Sequence, residues 1–270
     1  ANALAVDCDV YGNTAVGLEY RVAGSGGASI LSGGGTLLCC RVTGNANAAS
    51  SGYNYAGALC VAGGNALVDR CVITNNTSGF NANITSLVAG GVIISGSATM
   101  RNTLVAGNRL TGVVPTNPRT VGGGVLVTSA AAKVENCTIV NNTLDGACCE
   151  GSGMRLTAAS SIVNCIVWQN GGTPKGGEWM LGNVSNLTAS VTCTCAAPLI
   201  EGEGNTAEDP KLKVKKGYLI KSSSPCVATG DASLWTADDV DLLGNPRLRK
   251  GTVDMGCYQA ILQGLLLMVK

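Results

Sequence analysis

The ten residues Val134 to Thr143, VENCTIVNNT, return in altered form along most of the chain, and a repeat of this kind narrows the fold before any other feature is weighed. Related segments start at Ala5 (AVDCDVYGNT), Leu37 (LLCCRVTGNA), Val68 (VDRCVITNNT), Met100 (MRNTLVAGNR) and Ile162 (IVNCIVWQNG). Their last asparagines are Asn13, Asn45, Asn76, Asn108, Asn142 and Asn170, separated by 32, 31, 32, 34 and 28 residues. A period near 32 marks an array of stacked units.

Residue type is fixed by phase within each copy. Three residues before the asparagine stand Val10, Val42, Ile73, Val105, Ile139 and Val167; five before it stand Cys8, Cys40, Cys71, Thr103, Cys137 and Cys165. Small and β-branched residues alternating with variable polar ones describe strands with one buried face. A second strand signal lies between the copies, AGGVIIS from Ala89, GGGVLVT from Gly122 and GSGMRLT from Gly151. A unit this short cannot enclose a core alone. If each winds once and hydrogen-bonds to the next, equal positions stack at roughly 4.8 Å and a continuous interior forms. The expected fold is all-β, a right-handed parallel β-helix of six to seven coils over residues 1–200. An irregular C-terminal cap over 201–259 is expected to fold onto its end, followed by an apolar tail, 260–270.

Thirty-eight glycines and only 4% aromatic residues suit many short strands and tight turns. A net charge of +1 provides no basic footprint for nucleic acid. No apolar run approaches the roughly 18 residues needed to span a bilayer, and the N-terminus lacks signal-peptide order, so a processed form is expected. There are thirteen cysteines, no histidine and no zinc-type cysteine spacing; no metal or cofactor is expected.

The asparagine column reads as a side-chain hydrogen-bond ladder at a corner, where asparagine also tolerates the left-handed conformation; Asn102, Asn136 and Asn164 suggest another. Glycan attachment is the alternative. The cysteine column reads as packed core thiols, with disulfides between successive coils as the rival. Acids are sparse in the coils. Asp69, Arg101 and Glu135 share one phase and are expected to form an outward charge ladder, with Asp9 beside Arg41. The acids of the C-terminal part are assigned to loop stabilisation ahead of calcium binding. Without histidine or paired carboxylates, an enzyme is not the expected reading, and a lyase or glycoside hydrolase is the least favoured alternative. Trp168 and Trp179 are expected to cover the last coil, a sugar-stacking pair being the alternative.

From Glu208 the texture changes to EDPKLKV, GYLIKSSSPCVATGD and DLLGNPRLRKGTVDMGCYQ. With the preceding coils this order resembles the pectin-lyase-like right-handed β-helix proteins of bacterial cell surfaces that carry a D-x-x-G-x-P-R…D-[IM]-G-x-Y-E module ahead of varied anchors. Asp241, Gly244, Pro246, Arg247, Asp254, Met255, Gly256 and Tyr258 match; Gln259 replaces the usual acid and Ala228 the usual Asp. The resemblance implies an exported, surface-associated protein and no particular activity. On matching segments, Cys226 and Cys257 are expected to form a disulfide within the module. Asn83 is the first choice for glycosylation, with Asn75 and Asn141 next among the sequons. The first coil begins within a repeat, and the run Leu265, Leu266, Leu267, Met268 and Val269 is too short for a membrane. The two are expected to meet in a head-to-tail homopolymer. Surface glycans are the other partner considered.

Overall fold

The computed structural model describes residues 3–16, 24–30, 33–48, 55–80, 87–112, 121–145, 151–172, 179–181 and 190–261. The repeats wind into a parallel β-solenoid. Sheet I stacks seven strands from Ala3–Val6 to Ser190–Thr192, and sheet II seven from Asp9–Tyr11 to Cys195–Ala196. Sheet III holds six, from Thr14–Ala15 to Gly171–Gly172. Sheet V, from Ala28–Ile30 to Trp179–Leu181, also holds six and is preceded in each of four coils by a short strand of sheet IV, Gly24–Ser25 to Val121–Gly122. Pairing is parallel and follows the sequence phase: Val10 opposes Val42, Val42 opposes Ile73, Ile73 opposes Val105, and Val105 opposes Ile139.

The interior is filled by these columns. Leu37, Val68, Met100, Val134 and Ile162 of sheet I meet Val42, Ile73, Val105, Ile139 and Val167 of sheet II in one core cluster, with Cys40, Cys71, Cys137 and Cys165 at the corner between them. Sheet V lacks alternation because both of its faces are covered. Leu59, Val61, Val92 and Ile94 face that core, whereas Cys60, Ile93 and Leu126 form a separate buried cluster on the other side.

One left-handed residue makes each sharp corner. Between sheets I and II it is Asp7, Cys39, Arg70, Asn102, Asn136, Asn164 or Cys193; between sheets II and III it is Gly12, Gly44, Asn75, Gly107, Asn141 or Gln169. The anchor asparagines themselves follow this residue, so the left-handed position expected of them falls one place earlier. At the entry to sheet V, a Cβ on Gly57, Gly90 or Gly123 would run into the carbonyl oxygen of Gly90, Gly123 or Ser152 in the next coil, so close backbone approach excludes a side chain there.

The anchors form a continuous ladder. Asn45 N and Nδ2 both donate to Asn76 Oδ1 (2.9 and 3.0 Å), Asn76 to Asn108 Oδ1 (3.0 and 2.8 Å), Asn108 to Asn142 Oδ1 (3.0 and 2.9 Å) and Asn142 to Asn170 Oδ1 (both 2.9 Å). Asn13 joins at Asn45. The remaining amide hydrogens reach carbonyls of the preceding coil, such as Val42 O from Asn76 and Ile73 O from Asn108. Only a side chain with one double acceptor and two donors satisfies that set.

The C-terminal module, expected over the end of the solenoid, lies along its side. Residues 202–206 do continue the last coil: Glu203 O accepts from Cys193 N and Asn205 Oδ1 from Thr194 N. Beyond them the chain turns back across the corner between sheets I and II. Arg247 Nε donates to Asn102 Oδ1 (2.7 Å), Trp235 Nε1 to Asn136 Oδ1 (2.8 Å), and Asn164 Oδ1 accepts from Asp231 N. Leu104, Ala106 and Val140, on the outer face of sheet II, pack against Tyr258, Cys257, Leu212 and Leu219. Gly256 sits so close to Thr138 and Ile166 that a Cβ would collide with both, and Cys257 N donates to Thr138 Oγ1 (3.0 Å).

Two outcomes are expected. Asn108→Ala orphans the buried Asn76 N–H and costs about 3 kcal/mol, read from the urea midpoint. Arg247→Ala detaches the module while the coils persist: limited proteolysis between 200 and 210 accelerates and the strand signal in circular dichroism is retained.

Candidate functional site

On the outer face of sheet I, three successive coils place Leu67, Thr99 and Lys133 in one column, and Asp69, Arg101 and Glu135 in the next. With Asn65, Ser97 and Ala131 at the preceding turn, these side chains line a groove of about 510 Å³ that also takes in Ala66. Position is set by register alone, since each coil contributes the same three phases.

The expected outward charge ladder is corrected in part. Asp69 is only 4% exposed. Its Oδ1 accepts from Asn102 Nδ2 (3.0 Å) and its Oδ2 from Arg101 Nη2 (3.2 Å), with Arg70 Nε at 3.8 Å. Trp235 of the C-terminal module lies over the Arg101 guanidinium, 5.5 Å from the ring centroid, on the partner of that carboxylate. Arg101 Nε is buried without a hydrogen-bond partner. Glu135 has a different character. Burial pushes its carboxyl above the ordinary range against the opposing pull of Lys133 and Arg101, with Asp69 adding to the rise. The groove therefore holds one carboxyl whose pKa is raised by burial, beside two cations that pull it down. Asp9 and Arg41, by contrast, form the exposed surface pair expected, 3.7 Å apart.

The two buried acids of the module hold its loops together. Asp241 Oδ1 accepts from Leu243 N and Asn245 N, and its Oδ2 from Gln259 N. Asp254 accepts from Ala228 N, Ala260 N and Arg249 Nη2. Arg247, fully buried, also donates to Gly256 O (2.8 Å) and stacks on Trp235 from 5.4 Å. The ordered motif residues are thus those that fold the module and seat it on the coils. Among the described residues no group of three or more His, Cys, Asp or Glu side chains is placed to hold a metal, and no helix is long and apolar enough to cross a membrane.

The cysteine column is a second ladder. Cys71 Sγ lies against Asp69 O (3.4 Å) and Leu37 O (3.6 Å), and Cys165 Sγ against Val163 O and Val134 O. Thr103 and Thr194 fill the same place with hydroxyls, each donating to the carbonyl two residues back. Burial pushes the Cys71 thiol up to about 12 and raises that of Cys137 strongly. All eleven cysteines among the described residues are free thiols, which corrects the disulfide expected in the module. Cys226 packs with Ile166, Cys195 and Ile220, whereas Cys257 packs with Leu104, Ala106 and Val140. The two side chains serve different clusters.

Of the sequon candidates, Asn75 is exposed, while Asn141 donates its Nδ2 to the Tyr218 hydroxyl (2.9 Å), which occupies the atom a glycan would use. Asn83 and the tail residues Leu265, Leu266, Leu267, Met268 and Val269 lie outside the described residues. So does the pair Cys148 and Cys149. Trp168 packs between the two clusters that join the coils to the module, as a cover for the last coils would.

Glu135 yields a pH prediction. Its folded-state pKa lies above the unfolded one, so the folded chain binds the proton more tightly and stability falls as pH rises from the ordinary glutamate value through the raised one. Glu135→Gln is expected to raise the melting temperature at neutral pH, with the gain shrinking in acid.

A family model for the right handed beta helix region matches residues 1–192. No curated protein and no solved structure matches the chain. The phased repeat, the parallel sheets and that match agree: this chain belongs to the family of proteins with a right-handed β-helix region.

Proposed function

We propose that the chain is a non-enzymatic structural protein of an extracellular or bacterial cell-surface setting, a stiff rod that carries its own laterally docked module. The observation that supports this most is the fate of the carboxylates. Asp69, Asp241 and Asp254 are buried and spend their oxygens on backbone N–H groups, asparagine and arginine. Carboxylates held that way stabilise a fold; hydrolysis of a glycoside needs a free pair flanking the bond. Head-to-tail assembly belongs to the same reading and keeps its basis in the apolar run at Leu265 to Val269.

A second reading, glycan binding, is favoured by the groove on sheet I. Asn65, Ser97, Thr99, Lys133 and Glu135 offer donors and acceptors in columns repeating at roughly 4.8 Å, a spacing suited to an extended polymer lying along the rod.

The structural reading expects no new reducing ends or unsaturated products when the chain is incubated with acidic and neutral polysaccharides; turnover abolished by Glu135→Gln would overturn it. Glycan binding expects retention on a polysaccharide matrix that falls at least tenfold in Lys133→Ala, a loss of about 1.4 kcal/mol or more. Unchanged retention would assign the binding elsewhere.

A further inference from the structure

The C-terminal module has a concavity of its own, sharing no lining residue with the groove on sheet I. Pro246, Leu248, Arg249, Lys250, Gln259 and Ile261 are among the residues around a space of about 510 Å³, within the roughly 300–1,000 Å³ of small-ligand sites. Its walls are tied to each other by the module's own bonds. Arg249 N donates to Thr252 O (2.9 Å), Arg249 Nη1 to Ala260 O (2.8 Å) and Gln259 N to Asp241 Oδ2 (2.8 Å).

The two ends of the Gln259 amide are unevenly served. Its Oε1 accepts from Asp254 N (2.8 Å), with Arg247 Nη1 also donating at 3.5 Å. Two donors directed at one atom identify it as the oxygen, so the other end is the Nε2 group, which is buried and has no hydrogen-bond partner. The residue is only 4% exposed. Buried donors in folded proteins are nearly always answered, and this one belongs to the wall of a groove. Charge is unbalanced in the same sense. Arg249 pairs with Asp254 (3.1 Å), but neither Lys250, exposed at the groove, nor Arg247, fully buried on the oxygen side of the Gln259 amide, enters an ion pair among the described residues. No acid lines the space.

We propose that this groove binds a small aliphatic carboxylate, whose oxygen accepts from Gln259 Nε2 beside the Lys250 ammonium and whose hydrocarbon body covers Pro246, Leu248 and Ile261. A carboxylate meets both demands of the wall at once, an acceptor for the unmet donor and a negative charge for the unpaired cations. A neutral amide answers only the donor. A bare anion leaves the apolar wall in water, Ile261 being 60% exposed as it stands. The site is independent of the rod's proposed role, because every lining residue belongs to the module.

The test titrates octanoate into the full chain and follows the backbone amides of Leu248 and Ala260 and the Gln259 side-chain amide by nuclear magnetic resonance. Octanamide supplies the hydrocarbon without the charge, and acetate the charge without the hydrocarbon. A saturable millimolar shift is expected at all three positions with octanoate, and binding roughly tenfold weaker or less with either control. Gln259→Glu keeps an oxygen for Asp254 N and sets a carboxylate against Arg247, so the module retains its bonds while the donor becomes an anion. Octanoate affinity is expected to fall roughly tenfold or more in that variant. Lys250→Gln, at an exposed position, is expected to weaken octanoate about threefold and leave octanamide unchanged. The assignment is overturned by the absence of a saturable shift, by octanamide binding as tightly as octanoate, or by full affinity in a Gln259→Glu chain of unchanged melting temperature. Should that variant melt early, unchanged octanoate affinity in Lys250→Gln overturns it instead.

Discussion

A buried asparagine side chain has one strong double acceptor and two donors, and in this chain each of those groups is answered by the coil above or below. The consequence extends beyond the corner where the asparagines sit. Because Asn76 bonds both Asn45 and Asn108, the coils cannot slip in register without breaking several buried hydrogen bonds at once. Register, once fixed, aligns everything else: the Val42, Ile73, Val105 column, the thiol column, and the outward columns that form the groove. The thiols and the hydroxyls of Thr103 and Thr194 meet the same demand for donors at the other corner, so cysteine there supplies a weak S–H donor as well as bulk.

The body of the fold was legible because repetition multiplies a weak signal. One alternating segment such as Val134 to Val140 is ambiguous, whereas six in phase leave few folds open. The C-terminal module lies along the side of the coils and not over their end, and a trace of that position exists in the sequence. Outward positions of sheet II change along the rod from Asp9, Tyr11 and Arg41 to Leu104, Ala106, Val140 and Trp168. Apolar residues on an outward phase mean that something covers them, and the module does. Asn102, Asn136 and Asn164 carry the same lesson. Their left-handed backbone turns their amides out of the coil, where Arg247, Trp235 and Asp231 use them as docking points.

The candidate site was less legible, for a physical reason. The common phase of Asp69, Arg101 and Glu135 was visible, but their environments diverge beside a tryptophan, Trp235, that follows Glu135 by 100 positions and Asp69 by 166. Trp235 lies over Arg101, which pairs with the buried Asp69, and Glu135 stands at the edge of the groove, half-buried, with its carboxyl raised by burial. Pairing of Cys226 with Cys257 failed similarly: both are buried in one module, yet each belongs to a different apolar cluster, and no spacing rule distinguishes those clusters.

A rod whose register is locked from within can present a constant surface over its length, which suits a structural role and a groove for an extended ligand alike. Both depend on the ladder being intact in solution. Hydrogen exchange of the side-chain amides of Asn76, Asn108 and Asn142, followed by nuclear magnetic resonance, tests it most directly. The ladder predicts Nδ2 protons that exchange as slowly as the backbone amides of Ile73 and Val105, only when the coils open. Side-chain amides exchanging at the rate of free asparagine while those backbone amides stay protected would contradict it.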